Sequence, residues 1–434
     1  MTEEEWRTRV RAVVLHPSRP EVLVLGEDRR PLEAEVPERV WYAETPKVLA
    51  ALRGTLDLAV LRLLASREDT DAHLLEVTLL CAPREGSALP SDARWVDRSC
   101  LPELHELDGD DDPSQPWTRE PWLPSVERWL RATLPPLGYQ LRGRAEQHKV
   151  WELSCVLRQP TDRGDVYVKA NLTSPLLVDE AAILPTLTRL FPAHVAAPLA
   201  VEAEHGWLVT ADFGTEVGWT APVEVRQAVV EQFAQLQLAS IPYVGQLIRA
   251  GCLDRRPAWL AAQLPLWCAA ELTGQWVGPD VAARLQAAVP GLVELCGELE
   301  ADGLPATLAH GDMHMSNVAQ GPDGYRFFDW TDACVAHPFV DLIAVGHEED
   351  AQLRERLLTA YLAQWTSVAA LEDLRRSWAM AEVLSKANQA ISYMSLGLSL
   401  RRTPTEAPHP LFASWTGRWL QSTLTALDRL RTTG

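Results

Sequence analysis

Three oxygen-bearing side chains, Asp312, Asn317 and Asp329, lie close together in a largely apolar part of the sequence. Residues 310–317 read HGDMHMSN and residues 327–330 read FFDW. A carboxylate can orient and deprotonate an attacking hydroxyl, and carboxylate and amide oxygens can hold Mg²⁺ against the β- and γ-phosphates of a nucleotide. These residue types at this spacing therefore indicate phosphoryl transfer.

A simpler interpretation exists for each of these residues alone, because isolated Asp, His and Asn residues in loops usually lie at the surface or cap helices. His310 and His314 could also suggest a zinc pair, but no third ligand follows at helical spacing, which disfavours zinc. The whole set of polar residues favours a phosphate site.

A β-hairpin should bring these groups together. The turn sequence GPDG at 321–324 precedes Phe327 and Phe328, which we expect to form the returning strand. That strand would set Asp329 at its end, facing the metal.

The loop HGDxHxxN followed by a DW pair resembles the family of aminoglycoside phosphotransferases, choline kinases and homoserine kinase-like enzymes, and the resemblance covers roughly residues 117–434. It implies that Asp312 is the catalytic base and that Asn317 and Asp329 are Mg²⁺ ligands. It also implies that three residues brace the loop, namely His310, His314 and Asp341. ATP or GTP would be the phosphate donor.

A candidate nucleotide-binding strand lies upstream at 166–169, where alternation puts Tyr167 and Lys169 on one face and two valines on the other. In the resembling kinases such a lysine holds the α- and β-phosphates and pairs with a helix glutamate, for which Glu180 is the candidate. Tyr167 could stack on adenine, although a plain surface tyrosine is an equal alternative.

The strand at 207–210, with Leu208 and Thr210, is by the same resemblance the hinge whose backbone groups would read the adenine edge. Residues 145–149, which we place between the first two strands of this lobe, contain no GxGxxG pattern. The DFG sequence at 212–214 lies far upstream of the catalytic loop, whereas a metal-binding DFG follows it, so we interpret it as a turn.

The chain should divide into four segments. Residues 1–107 read as an accessory α/β domain, with strands at 10–15, 22–25 and 74–81 and a helix at 56–64. This region weakly resembles a Nudix domain but lacks its glutamate box, so we expect a scaffold or lid. An acidic linker and a docking helix follow at 108–136, then a kinase-like small lobe at 137–212 and a helical large lobe with the catalytic loop at 213–434.

The predicted fold class is α+β: a protein-kinase-like two-lobe fold, with a small antiparallel sheet lobe and a large helical lobe, preceded by the accessory domain. Beyond residue 221 nearly every segment is helix-like, including 222–239, 279–301, 350–364, 370–396 and 412–431. Closure of the two lobes would assemble the site and exclude water.

The 434 residues carry a net charge of −19, so nucleic acid and anionic membrane surfaces are not expected as partners. The seven cysteines show no CxxC spacing, and no secretory signal is evident. We therefore expect a cytoplasmic protein.

The acceptor is expected to be the hydroxyl of a small molecule. The acidic charge suits a cationic acceptor such as an aminoglycoside or an amino alcohol, whereas a neutral sugar, nucleoside or macrolide stays open. Asp332, His337 and Tyr393 are candidate acceptor contacts. Two other classes also stay open, namely a non-catalytic nucleotide-binding regulatory module and a kinase that acts on protein side chains.

Overall fold

The structure, a computed structural model, describes residues 6–53, 56–100, 114–119, 121–401 and 409–433. The chain divides into two compact units. Unit 1 comprises Met1–Leu172 and Leu199–Asp212, and unit 2 comprises Thr173–Pro198 and Phe213–Gly434. The predicted acidic linker falls at 108–113 on residues outside the described ranges.

The N-terminal part of unit 1 is built on a mixed sheet. Its elements are β1 (Arg7–Val14), β2 (Glu21–Leu25), β3 (Leu32–Val36), α1 (Pro46–Arg53), β4 (Leu58–Asp69), β5 (Leu74–Pro83) and β6 (Ala93–Asp97). The sheet order is β3-β1-β5-β4, with β1 and β5 parallel and the outer pairs antiparallel, while β2 pairs separately with β6. Alternate residues of β1, such as Val10 and Ala12, point into the core.

The predicted helix at 56–64 is wrong, because this stretch begins the long strand β4 and the helix lies earlier, at α1. Residues 58–61 are all buried, so their apolar run has no alternation to mark a strand. Two register shifts in the pairing of β4 with β5 disturb the pattern further.

The second part of unit 1 is an antiparallel sheet of the order β10-β11-β9-β8-β7, with one helix before it. Its elements are α2 (Trp122–Thr133), β7 (Glu146–Val150), β8 (Ser154–Thr161), β9 (Gly164–Asn171), β10 (Pro198–Glu202) and β11 (Trp207–Ala211). The β8–β9 hairpin confirms the predicted one, and it closes between Thr161 and Gly164. The helix α2 contacts the sheet where Trp122 and Trp129 pack edge-on against Trp207.

The two parts of unit 1 are joined by a side chain that behaves like a strand partner. The Gln147 amide donates to the Val60 carbonyl and accepts from the Val60 amide, each at 2.7 Å. Both residues are buried, so these bonds compete little with water. The accessory sheet and the five-stranded sheet therefore form one packed body.

Unit 2 is mainly helical. Its helices are α3 (Glu180–Leu190), α4 (Val223–Ser240), α5 (Val244–Ala250), α6 (Pro257–Trp267), α7 (Ala270–Thr273), α8 (Pro279–Glu300), α9 (Ile343–Gly346), α10 (Ala351–Ala363), α11 (Leu371–Ser399) and α12 (Pro410–Thr433). The five long helices predicted from periodicity are confirmed with closely similar bounds. Among the described helices, none combines the length and the apolar character that a membrane crossing requires.

Short strands interrupt the helices of unit 2. They are β12 (Thr215–Glu216), β13 (Leu253–Asp254), β14 (Thr307–Ala309), β15 (Val318–Gly321), β16 (Gly324–Phe327) and β17 (Cys334–Ala336). They form two small sheets, with the orders β12-β15-β16 and β13-β17-β14. The loop with the HGD sequence connects these two sheets, because it leaves β14 and enters β15.

Candidate active site

The loop after β14 turns sharply at Gly311. This residue has φ of +85°, and a Cβ built on it would lie 2.2 Å from the backbone oxygen of Asp332. An L side chain would be strained by the left-handed conformation and would also collide with backbone. Glycine is therefore required at the position immediately before Asp312.

The buried carboxylate of Asp341 fixes the same turn. Its two oxygens accept hydrogen bonds from the backbone amides of His310 and Gly311, the second at 2.9 Å. Burial raises the pKa of Asp341 to about 8, although the two amides favour its charged form. Asp341 thus lies where the resemblance expects a bracing residue.

His310 is fully buried below the loop. Its Nε2 lies 2.8 Å from the carbonyl oxygen of Phe328, and its ring packs 4.7 Å from that of Trp330. Burial lowers the pKa of His310, so the neutral ring donates from Nε2 to the carbonyl. The side chain links the HGD loop to the strand end that carries Asp329.

The β15–β16 hairpin forms as predicted, with Gly321 opposite Gly324, and it aligns the other polar residues. Asn317 donates from Nδ2 to the backbone oxygen of Asp312 at 2.9 Å. The backbone carbonyl of Asn317 accepts from the Phe328 amide at 3.0 Å. Asp329 follows the hairpin in the left-handed conformation, with φ of 67°.

The carboxylates of this region interact electrostatically. Burial raises the pKa of Asp332 to about 7, and the negative charges of Asp312 and Asp329 raise it further, against the opposing effect of Arg255. Thr331 also donates from Oγ1 to Asp329 Oδ1 at 3.1 Å. The fold therefore places Asp332 near Asp312 and Asp329, the two residues that we call the acidic cluster.

His314 lies beside Asp312, with Nε2 3.5 Å from Oδ2, and its ring stacks at 5.2 Å on Trp219. Burial lowers the pKa of His314, but the hydrogen bond and charge of Asp312 outweigh this effect, so the pKa is raised. A positive His314 would partly neutralise the acidic cluster.

This acidic cluster suits a divalent cation. Asp312 and Asp329 offer carboxylate oxygens and Asn317 offers an amide oxygen, the hard ligands that Mg²⁺ prefers. Burial is the main cause of the raised pKa values of Asp332 and Asp341, and the negative charges of neighbouring carboxylates add to it.

Glu180 lies at the start of α3, where it is only 4% exposed and Oε1 accepts from the Trp330 amide at 2.8 Å. It is thereby tied to the DW pair. Lys169 belongs to β9 of unit 1 and Glu180 to unit 2, so their pairing stays a prediction.

The candidate nucleotide residues of unit 1 lie on neighbouring strands, where Leu208 is opposite Lys169 and Thr210 is opposite Tyr167. Tyr167 and Lys169 share one half-buried face of β9, as predicted, while the alternating valines are buried. The Leu208 and Thr210 side chains are themselves buried, so only their backbone groups suit ligand recognition.

The connection between the first two strands of this sheet differs from the prediction. Residues 146–150 are themselves β7, so placing 145–149 in a loop is wrong, and the true connection is 151–153. The polar sequence EQHKV hides this strand, because its buried positions include Gln147.

The three candidate acceptor contacts differ in their surroundings. His337 is 3% exposed and bonds Asp302 at 3.0 Å, so it supports the core and its assignment as an acceptor contact is wrong. Asp332 adjoins the acidic cluster. Tyr393 packs within an aromatic group of α12, against Phe412, Trp415 and Trp419.

Three supporting residues were missed from the sequence. Gln389 of α11 is 2% exposed and donates to the Gly311 carbonyl. Arg255 is buried and donates to Ser392 at 2.8 Å. Trp219 covers His314. They come from distant segments with no motif of their own, so spacing in the sequence could not reveal them.

Comparison with known proteins places this site in a family. The profile described as "Phosphotransferase enzyme family" matches residues 147–371, more than half of the chain. No curated protein matches the sequence. The weak Nudix resemblance of residues 8–107 stays a prediction.

Solved structures share the fold at low identity. An ethanolamine kinase from Plasmodium vivax is 10% identical, with a TM-score of 0.51 over 76% of this chain and 94% of that chain. A choline kinase from Cryptosporidium parvum Iowa II is 11% identical, with a TM-score of 0.51 over 72% and 97%. The predicted kinase-like α+β fold is thereby confirmed.

Proposed function

Because the chain belongs to the phosphotransferase enzyme family, and so acts on an alcohol group, we propose that it transfers the γ-phosphate of ATP or GTP to the hydroxyl of a small molecule. The observation that carries this proposal is the fixed HGD turn. Asp341 holds the two backbone amides before Asp312, and Gly311 permits the close packing. Such positioning is what phosphoryl transfer chiefly requires.

In this proposal Asp312 accepts the proton of the acceptor hydroxyl as the hydroxyl oxygen bonds to the γ-phosphorus. The bond from that phosphorus to the β–γ bridging oxygen breaks, and ADP or GDP leaves. Asn317 and Asp329 would hold Mg²⁺, which when bound neutralises charge on the β- and γ-phosphates. Lys169 would hold the α- and β-phosphates, and Tyr167 would lie against adenine. His310, His314 and Asp341 keep the loop in place and take no proton from the substrate.

The acceptor is proposed to be cationic. Asp332 and the aromatic group around Tyr393 accompany Asp312, since the charges of Asp312 and Asp332 both contribute, after burial, to raising the pKa of Tyr393. Carboxylates and aromatic faces both attract ammonium groups. An amino alcohol or an aminoglycoside fits this chemistry better than a neutral sugar or macrolide.

The test is acceptor-dependent consumption of Mg-ATP and Mg-GTP over a panel of amino alcohols, aminoglycosides, macrolides and nucleosides. Asp312→Asn keeps the shape of the side chain but removes the base, so turnover should fall by about 10²- to 10⁴-fold. Nucleotide binding, followed by calorimetry, should persist.

Asp350→Asn is the matched control, because Asp350 caps α10 by accepting from the amides of Gln352 and Leu353, a role that Asn fills equally well. Its turnover should equal that of the wild type. Equal slow nucleotide hydrolysis in wild type and Asp312→Asn, with no acceptor found, would instead support the regulatory module.

A further inference from the structure

The segment Trp41–Thr45 of the N-terminal region lies along the outer edge of β7. The Val150 amide donates to the Ala43 carbonyl at 2.8 Å, and the Thr45 amide donates to the His148 carbonyl at 3.4 Å. Glu44 forms an isolated bridge with Lys149. The segment therefore acts as an additional edge partner of the five-stranded sheet.

The same segment reaches the connection 151–153 that follows β7. Tyr42 donates from its hydroxyl to Glu152 Oε2 at 3.0 Å, and Trp41 packs edge-on against Trp151 with ring centroids 5.5 Å apart. The Lys149 ammonium lies over both indoles, 4.9 Å from Trp41 and 4.6 Å from Trp151. The Tyr42 hydrogen bond and the cation–π contacts of Lys149 thus attach the 151–153 loop to the Trp41–Thr45 segment.

Tyr42 stays a hydrogen-bond donor at any physiological pH, because burial and the Glu152 charge raise its pKa. Trp151 is fixed from the other side as well, since its Nε1 donates to Ser154 Oγ at 2.8 Å. The contacts of Tyr42, Trp41 and Trp151 act on the side chains of the loop, so they restrict its conformation more than the edge pairing alone.

We infer that the N-terminal region positions the 151–153 loop for nucleotide binding, with Trp41 and Tyr42 as positioning residues. This inference rests on the proposed function, in which Lys169 of β9 holds the nucleotide phosphates, since Lys169 lies opposite Val156, a β8 residue that closely follows the loop. The loop lacks the glycine pattern that lets other phosphate loops wrap their ligand through backbone alone. Here the order of the loop is imposed by a region outside the kinase-like fold.

Tyr42→Phe removes only the hydroxyl, and Trp41→Ala removes the indole of a side chain that is 39% exposed, so both variants should fold. In nucleotide-free protein, hydrogen exchange of the amides at 151–153 should become at least about fivefold faster. The KM for Mg-ATP should rise by about three- to tenfold, while kcat and the KM for the acceptor change little. Trp41→Phe, which keeps an aromatic ring, should restore most of the protection.

Tyr139→Phe is the matched control, because Tyr139 lies in the same unit and contacts Arg163 instead of the loop. It should leave exchange at 151–153 and the KM for Mg-ATP unchanged. Unchanged exchange in folded Tyr42→Phe and Trp41→Ala would overturn the inference, as would faster exchange without any change in KM. If wild-type protein binds no nucleotide, the proposed function fails, and the exchange measurement still decides whether the N-terminal region orders the loop.

Discussion

Gly311 is the residue whose backbone conformation most directly fixes the base. Because φ is +85° and a Cβ would meet the Asp332 carbonyl at 2.2 Å, Gly311→Ala must both strain the backbone and displace the loop. We expect a loss of about 3–5 kcal/mol in the free energy of unfolding. Phosphoryl transfer should fall by at least about 100-fold, since a displacement of about 1 Å suffices for that.

Gly303→Ala separates the two causes, because Gly303 has φ of +82° with no atom within 4 Å of its built Cβ. The free energy of unfolding of Gly303→Ala should fall only by the cost of the left-handed conformation, about 1–2 kcal/mol, and its activity should equal that of the wild type. Chemical denaturation and steady-state turnover measure both effects. Equal losses in the two variants would show that the collision with Asp332 is unimportant.

At this scale the sequence predicts the polar residues of the candidate site but not the residues that hold them in place. Asp312, Asn317 and Asp329 stand in a contiguous motif, so type and spacing suffice to identify them. Gln389, by contrast, holds the Gly311 carbonyl from a helix about 80 residues away in sequence. Its burial, which makes the bond strong, also makes it look like any other polar residue within a helix.

The β15–β16 hairpin is the element that delivers Asp329, and it is held from both sides. The Phe327 amide donates to the His194 carbonyl at 2.8 Å. The Gln232 amide donates from Nε2 to the Tyr325 carbonyl at 2.6 Å and faces His194 Nδ1 at 3.1 Å. Since Gln232 Nε2 is a donor, His194 Nδ1 must accept, and the ring must be neutral.

This arrangement predicts a pH dependence. Burial and the nearby Arg326 lower the pKa of His194 in the folded protein below its ordinary 6.5. As pH falls, His194 is therefore protonated in the unfolded chain at a higher pH than in the folded protein. The free energy of unfolding should therefore decline as pH falls below about 6.5, and His194→Gln should remove that part of the decline. Urea unfolding between about pH 5 and 8 measures it, and parallel profiles for wild type and variant would contradict it.

Among the elements, the long helices were predictable because periodicity over many residues is a strong signal. Short or unusual strands were not. β4 carries an unbroken buried run that also fits a helix, and β7 reads as a polar loop because its edge partner, Trp41–Thr45, lies about 100 residues upstream. The residues around β7 alone cannot indicate a pairing with a segment so far away in the sequence.

On the scale of the molecule, the main feature of unit 1 is that buried contacts join its four-stranded accessory sheet to its five-stranded sheet. Arg84, after β5, donates from Nη1 to the Ala145 carbonyl at 2.9 Å and from Nη2 to Glu127 of α2 at 2.5 Å. Both side chains are less than 10% exposed. A buried ion pair thus joins the accessory sheet, the docking helix and the residue that precedes β7.

Breaking this pair should loosen both sheets together. Arg84→Met leaves the buried Glu127 carboxylate only the more exposed Arg131 and Arg144, at 3.3 and 3.6 Å. The free energy of unfolding should therefore fall by about 3 kcal/mol, the lower end of the cost of breaking a buried ion pair. Arg84→Met with Glu127→Met removes both charges and should recover much of that loss, because apolar side chains of similar size replace the pair. Denaturant unfolding of the two variants gives these values.

Hydrogen exchange of Arg84→Met shows whether the sheets form one cooperative body. If they do, amides of β1 and β5 should lose protection to the same extent as amides of β8 and β9, since opening one sheet exposes the apolar face of the other. Loss confined to β1 and β5 would mean that the accessory region unfolds independently. In that case its contacts with the 151–153 loop would be too weak to order that loop.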